Sequence, residues 1–500
     1  MYNINTILSC KRAGALACFF LFQFFPAPAN DLIWKFDPAL QKVYISVLNL
    51  DKEEAYLALN KLDTRTNAYH KLYVQSLCET LDALISEDEE KFKKIDEAFK
   101  ARFKFLDSEE ESAETLFLKA ELNLQRGFNL LNLDHEFNAV WAIRSAYNYT
   151  QECLAKYPNF VPIKKTSGVI QVMVGSVPEN YRWFMSLLGM KGSVEVGQKQ
   201  FQDLQNSSSS LSMEATILYY TIKGLINQQY EEATKGILES LEAQPFNRLA
   251  LFLGVNMLMK NAQSEQALKL IETLDTYPQG LPMYYIEYLR GEILLQKGEY
   301  EKSIAAYRNF IAHYKSDNFK KDSYYKIALG YWFQRKSQLA YQHLEMARKT
   351  GKNVVPPDRY ADFAIRENKF PNTKLYKLRL FTDGGYFEEA KNTLQDICPV
   401  DLKTNKDKAE YAYRKARLAD KLNDPITAET FYLKAIQLTG ENPWYFAPNA
   451  ALQLGYLEKS RKAYSNAKKY FEMALSYKQH EYKNSIDSKA KAALEQLENR

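Results

Sequence analysis

Residues 284–314 read YYIEYLRGEILLQKGEYEKSIAAYRNFIAHY. Apolar residues recur three and four apart on both sides of Gly298-Glu299-Tyr300. That is the spacing of two amphipathic helices joined by a short turn. Gly291 lies midway along the first helix, and Ser303 and Tyr307 lie four apart on the second. Helices approach closely only where side chains are small, and a ring one turn further on fills the wedge that opens beyond the contact. The stretch therefore predicts an antiparallel hairpin with Gly291, Ser303 and Tyr307 at its seam.

The pattern recurs outward in both directions. Gly330 is matched with Ala340, Leu344 and Ala347 in YYKIALGYWFQRKSQLAYQHLEMA, residues 324–347. Gly455 is matched with Ala467, Phe471 and Ala474, and Ala428 with Tyr432 and Ala435. Ala390 and Leu394 follow the turn Gly385-Tyr386-Phe387. Upstream, Ala233 with Ile237 ends at Pro245, and Ala267 with Ile271 ends at Pro278. The small residues opening the second helices fall at 233, 267, 303, 340, 390, 428 and 467. The intervals are 34, 36, 37, 50, 38 and 39. This spacing and residue pattern resemble the tetratricopeptide repeat, whose period is about 34 residues. The resemblance implies an all-α fold, a right-handed superhelix of antiparallel helix pairs. The interval of 50 holds Val354-Val355-Pro356-Pro357 and Phe370-Pro371, where helices break. Residues 350–371 are thus an insertion, either a cap between a 211–349 array and a 372–500 array or an exposed loop.

Residues 30–205 are less regular. Five segments show helical spacing: 51–62, 66–84, 90–105, 112–126 and 136–156. Leu116, Leu118, Ala120, Leu122 and Leu124 fit a single helical face less cleanly and predict a helix buried on several sides. This part reads as an irregular helical lobe, and Asn206-Ser207-Ser208-Ser209-Ser210 as a linker or long loop before the array.

A second resemblance rests on two stretches. One is Gly175-Ser176-Val177-Pro178 leading to Gly189-Met190-Lys191-Gly192 and Gly197, read as a glycine-spaced turn between helices. The other is residues 445–494, with Pro448, Gly455, Ala467, Ala474, Tyr477, Tyr482 and Lys489. Together they are similar to the tetratricopeptide-repeat-39 family and its outer-membrane inclusion-body relatives. The match implies an adaptor role and carries no catalytic residues. Lys489 and Lys491 stand where that family usually has arginine, and its members are intracellular.

Glycine (19) and proline (16) are scarce for 500 residues, which favours long helices over a barrel or sandwich. Tyrosine (35) and phenylalanine (28) are abundant. Lys11 and Arg12 precede an apolar run over 13–25, and Ala27-Pro28-Ala29 has the small-x-small form of a cleavage site. Residues 1–29 thus read as a secretory signal, placing the mature chain in a periplasm or cell envelope, or outside the cell. Ala15-Leu16-Ala17-Cys18 faintly resembles a lipoprotein box, but apolar residues continue past Cys18. Without Lys11 and Arg12 the chain has 64 Lys and Arg against 61 Asp and Glu, near neutral and interspersed, which disfavours nucleic acid as a partner. No later run is long enough to span a bilayer. Cys78, Cys153 and Cys398 are too few and too far apart for a disulfide framework and read chiefly as buried thiols.

No chemistry emerges. There is no GxxxxGK[ST] loop, no GxSxG elbow and no HExxH helix. The five histidines lack ligand spacing. The sequence implies neither enzyme, cofactor nor metal. What remains is a surface. First helices of stacked pairs line a concave groove. That expectation places Tyr285, Tyr288, Glu292 and Gln296 in one unit's groove, and Tyr324, Tyr331, Gln334 and Arg335 in the next. Tyr456 and Lys459 follow near the C-terminus. The expected function is a non-catalytic scaffold gripping a protein segment. The alternative is a glycan or small-ligand binder with aromatic platforms.

Overall fold

Helix starts in this chain are written into its short polar side chains. Asp37 accepts backbone N–H bonds from Ala39 and Leu40, Asn67 from Tyr69 and His70, and Asp88 from Glu90 and Lys91. Each satisfies donors that a helix N-terminus leaves open. In the computed structural model, residues 33–62, 66–133, 135–177, 183, 185–277 and 279–498 are described. The expected signal at 1–29 and the prolines at 178 and 278 lie outside them. Every regular element among the described residues is helical.

The N-terminal lobe comprises α1 (Pro38–Leu48), α2 (Lys52–Lys61), α3 (Ala68–Ser86), α4 (Glu89–Ser108), α5 (Ala113–Asn132), α6 (Glu136–Lys156), α7 (Ile163–Gly175) and α8 (Val194–Gln205). Helix α5 is its centre: Leu116, Leu118, Ala120, Leu122 and Leu124 are all buried, as expected of a helix covered on several sides. Helices α7 and α8 cross backbone to backbone. A Cβ on Gly168 would lie 2.8 Å from the Phe201 ring, and one on Gly197 2.6 Å from the Gly168 carbonyl. Gly197 therefore serves a close helix crossing, not a turn. Gly189, with φ of 71°, supplies the turn.

The run 206–210 is no tether. Ser210 N donates to the Trp34 carbonyl at 3.1 Å, and Phe36 N donates to Ser210 Oγ at 3.0 Å. Leu211, Ala215 and Tyr219 share one core with Trp34 and Leu204. Four serines read as solvated linker because composition cannot reveal a backbone partner 174 residues away.

From there helix pairs stack: α9 (Ser212–Leu225) with α10 (Tyr230–Ala243), α11 (Arg248–Lys260) with α12 (Ser264–Asp275), α13 (Tyr285–Lys297) with α14 (Tyr300–His313), and α15 (Lys320–Phe333) with α16 (Ser337–Lys349). These are tetratricopeptide-type pairs. Ser303 Oγ donates to the Gly291 carbonyl at 2.8 Å, and a Cβ on Gly291 would meet the Tyr307 ring at 2.8 Å. Ala233, Ala267, Ala340, Ala390, Ala428 and Ala467 are each 0% exposed. Gly330 departs from the expected pairing, since its tight neighbour is Ile304 on α14 rather than Ala340.

Residues 356–366 form α17 (Pro356–Arg366), which packs on α15 and α16 through Ala361 and Ile365. The chain then doubles back. Helix α18 (Thr373–Gly384) packs mainly on α13, with Tyr376 and Lys377 also lying against Phe333 of α15. It begins a second stack with α19 (Phe387–Gln395), α20 (Asn405–Lys421), α21 (Pro425–Thr439), α22 (Phe446–Ser460), α23 (Tyr464–Ser476) and α24 (Lys483–Glu498). In this stack a Cβ on Gly455 would lie 2.4 Å from the Phe471 ring. The superhelix is therefore two stacks joined at a turn.

Candidate interaction surface

The doubling-back decides which inner faces are open. Gly385, φ 83°, lies so close to the Ala262 carbonyl that a Cβ would sit 1.8 Å from its oxygen. Beside it, Tyr386 Oη donates to Glu265 Oε2 at 3.2 Å, and Gln296 flanks Gly384. The second stack thus covers much of the first stack's inner face with its own backbone and rings.

The expected groove residues follow from this. Tyr288 is buried and donates to Asp322 Oδ2 at 2.8 Å, with Tyr285 stacked on it at 5.3 Å. Glu292 accepts from Tyr307 Oη and from Lys326 Nζ. Gln296 Oε1 accepts from Ser264 Oγ at 2.7 Å. Tyr324 is half-buried against the first stack's core. Tyr331 is buried and turned away, its hydroxyl accepting from Arg308 and its ring against His343 at 5.0 Å. Gln334 and Arg335 sit at the end of α15, where Arg335 is exposed with φ of 59°. Tyr456 packs edge-on to Phe471, and Lys459 donates to Gln496 on α24. The residues of α13 share one neighbourhood and are bonded within the chain, whereas those of α15 are split, with Tyr331 turned away from Tyr324.

The second stack's inner face gathers tyrosines and arginines, with Tyr376 against Phe333 and Tyr482 against Tyr360. Tyr376 and Arg379 of α18, Tyr413, Arg414 and Arg417 of α20, Tyr445, and Tyr482 form one continuous neighbourhood. The Arg379 guanidinium lies 5.4 Å from the Tyr376 ring, and Arg414 lies 5.2 Å from Tyr413 and 5.7 Å from Tyr445. The Tyr445 and Tyr482 rings are 4.9 Å apart. Arg379 remains 28% exposed and Arg417 21%. Burial pushes the Tyr376, Tyr413 and Tyr445 hydroxyls above the ordinary tyrosine range, against the pull of neighbouring arginines. They stay protonated donors at neutral pH. Apart from Tyr482, sequence reading passed over these residues because arginine and tyrosine on helices are common, and only the fold brings α18, α20 and the turn before α24 together.

A separate polar cluster lies inside the N-terminal lobe. Lys165 Nζ sits 2.7 Å from Glu121 Oε1 and 2.8 Å from Glu214 Oε2, and donates to Tyr73 Oη at 2.6 Å. Tyr44 and Tyr73 both donate to Glu214 Oε1, and Thr166 donates to Glu121. Burial opposes the Lys165 charge, but the two carboxylates outweigh it and hold its pKa above the usual lysine value. The cluster ties α1, α3, α5, α7 and α9 together.

Cys78 and Cys153 are buried free thiols. Cys398 is free but exposed, unlike the buried thiol expected for it.

Set against known proteins, the chain matches no family model and no curated protein. The similarity to the tetratricopeptide-repeat-39 family therefore finds no support beyond its residues. Among solved structures, a monomeric mutant of IFIT1 with Gppp-AAAA is 14% identical, with 89% of this chain and 98% of that one covered and a TM-score of 0.32. The Cut9–Hcn1 hetero-tetramer of the APC/C is 12% identical over 92% of each chain, TM-score 0.29. Yeast Tom70 is 15% identical over 92% of this chain and 96% of that one, TM-score 0.26. At such scores the fold assignment stands on the helix seams described above.

Proposed function

We propose that this chain is a non-catalytic scaffold that holds a segment of another protein along the inner face of its second stack. The observation that carries the reading is the run of tyrosine rings and arginine forks along the second stack's inner face. Tyr376, Arg379, Arg417 and Tyr482 stay partly accessible beside a wall of tyrosine rings, with Arg379 and Arg417 held in place by Asp383 and Asp420. Tyrosine and arginine give large contact area and oriented donors at low entropic cost, which suits protein recognition. The Lys11-Arg12, apolar and Ala27-Pro28-Ala29 pattern supports an exported location.

The glycan-binding alternative needs accessible indole platforms, and two of the tryptophans are taken up inside the fold. Trp34 is 0% exposed, and Trp332 stacks on Phe370 at 4.7 Å.

The test is a photocrosslinking residue placed in cells at Asp383, on the inner side, and separately at Glu472 on α23. One stoichiometric protein captured from position 383 and not from 472 supports the reading. Equal labelling at both positions, or none, rejects it. Fractionation with and without residues 1–29 tests the location.

A further inference from the structure

Helix α3 buries polar side chains against α5. Ser76 and Thr80, one turn apart on α3, are 3% and 5% exposed. Gln125 and Asn129, one turn apart on α5, are 6% and 3% exposed. All four line a cavity of about 20 Å³, walled on the α4 side by Phe92 and Phe99. The charged groups of the wall are already paired. Arg102 forks onto Glu79 at 2.7 and 2.6 Å, and Arg126 Nε donates to Asp96 Oδ1 at 2.6 Å. The hydroxyl protons are committed as well. Ser76 Oγ donates to the Tyr73 carbonyl at 3.0 Å, and Thr80 Oγ1 donates to Gln125 Oε1 at 3.2 Å. Each hydroxyl keeps lone pairs but has no proton left to give. Asn129 Oδ1 is buried and accepts no hydrogen bond from the protein.

A buried amide oxygen without a donor is costly, and the side chains around this one offer further acceptors. We infer that the cavity is a binding site for a single water molecule, which donates one hydrogen to Asn129 Oδ1 and the other to the Thr80 or Ser76 hydroxyl. The size agrees. A water needs roughly 10–15 Å³ of such space and two to four polar partners. The same size leaves no room for an organic ligand. A metal cation fits less well. Two arginines share the wall, and its carboxylate, Asp96, is held by Arg126 and by Lys100 at 2.9 Å. The water completes a buried chain. Thr80 donates to Gln125, Gln125 Nε2 donates to Glu121 Oε1 at 3.2 Å, and Glu121 holds Lys165 at 2.7 Å. A donor at Thr80 extends that polarised chain from the Lys165 cluster to Asn129 and fastens α3 to α5.

The experiment is a crystal structure of the full chain, at a resolution that shows ordered water, beside one of Asn129→Leu, with the melting temperature of each. The expected result is one solvent peak about 2.8 Å from Asn129 Oδ1 and from the Thr80 or Ser76 hydroxyl. The peak should be lost in Asn129→Leu, and that variant should melt lower, because the chain loses its terminal donor. If Asn129→Leu fails to fold, Thr80→Val takes its place and should displace or lose the peak. A cavity with no peak overturns the inference. So does a peak with five or six oxygens at about 2.4 Å, which would be a metal cation. An Asn129→Leu protein as stable as the unmodified chain, or more so, also overturns it, since apolar filling would then suit the cavity better than a hydrated amide.

Discussion

The carboxylate of Asp358 caps a helix to which it does not belong. Its oxygens accept from the backbone N–H of Phe319 at 2.7 Å and of Asp322 at 2.9 Å, at the start of α15. No side chain of the local stretch does this, and Phe319 itself stands in the left-handed region at φ 64°. The residues between the stacks thus complete the pair that precedes them. Asp358→Ala should cost about 1–3 kcal/mol, from a lost cap and buried donors left open. Asp358→Asn keeps an acceptor and should cost less. Urea midpoints of the two variants check the order; Asn as damaging as Ala would mean the charge, not the acceptor, is what α15 needs.

The same neighbourhood makes stability depend on pH. Burial raises Asp322 to about 7, with Glu292 adding to it against the pull of Lys326, and burial raises Asp358 to about 6 despite its two N–H donors. In the unfolded chain both titrate near the ordinary aspartate value of about 3.9. The folded state therefore holds these protons more tightly. Between about pH 4 and 7 stability falls as pH rises, since the unfolded chain has already released what the folded chain must give up. Asp322→Asn removes most of this slope. Urea titrations of both proteins across that range should show the unmodified chain losing ground to the variant with rising pH. Parallel curves would refute the assignment.

Local seams were legible and distant ones were not. Gly291, Ser303 and Tyr307 lie within 16 residues of one another, so their spacing alone announces the contact. Gly224, missed in the sequence, is the same kind of residue: a Cβ there would stand 3.1 Å from that of Ala233. It lacked an obvious turn motif to mark it. The bond from Ser210 to Trp34 and the contact of Gly385 with Ala262 join residues more than a hundred positions apart, and no periodicity encodes them. That is why the α13 face read as an open groove when α18 fills it.

Gly385 tests that long-range contact. A methyl group there would collide with the Ala262 backbone, and φ of 83° already disfavours any side chain. Gly385→Ala should loosen the second stack from the first and cost about 2–4 kcal/mol. Hydrogen exchange should rise at α18 and around Ala262 while the N-terminal lobe stays protected. Uniform exchange throughout would mean that the stacks do not depend on this contact.

Gly291 tests the local seam. Leucine at that position would drive into the Tyr307 ring, for an overpacking cost of about 1–3 kcal/mol. Ser303→Ala loses only the bond to the Gly291 carbonyl, about 1 kcal/mol. Because the two residues touch, the double variant should depart from additivity. A melting temperature unchanged in Gly291→Leu would refute the register assigned to the pair.

The Lys165 cluster separates two meanings of a buried ion pair. Lys165, Glu121 and Glu214 are each less than a tenth exposed, so their attraction competes with a large desolvation cost. Lys165→Met removes the cation and strands two carboxylates beside Tyr44 and Tyr73, which should cost about 3–5 kcal/mol. Adding Glu121→Gln and Glu214→Gln removes the stranded charges while keeping shape and most hydrogen-bonding capacity. The triple variant should recover much of the loss, since neutral amides are far cheaper to bury than unpaired carboxylates. Such recovery would show that the charges are tolerated because they are mutually satisfied, and that α1, α3, α5, α7 and α9 are joined by hydrogen bonding and packing as much as by Coulomb attraction. A triple variant no more stable than Lys165→Met would show instead that the lysine itself, through its contact with Tyr73, is what orients the five helices.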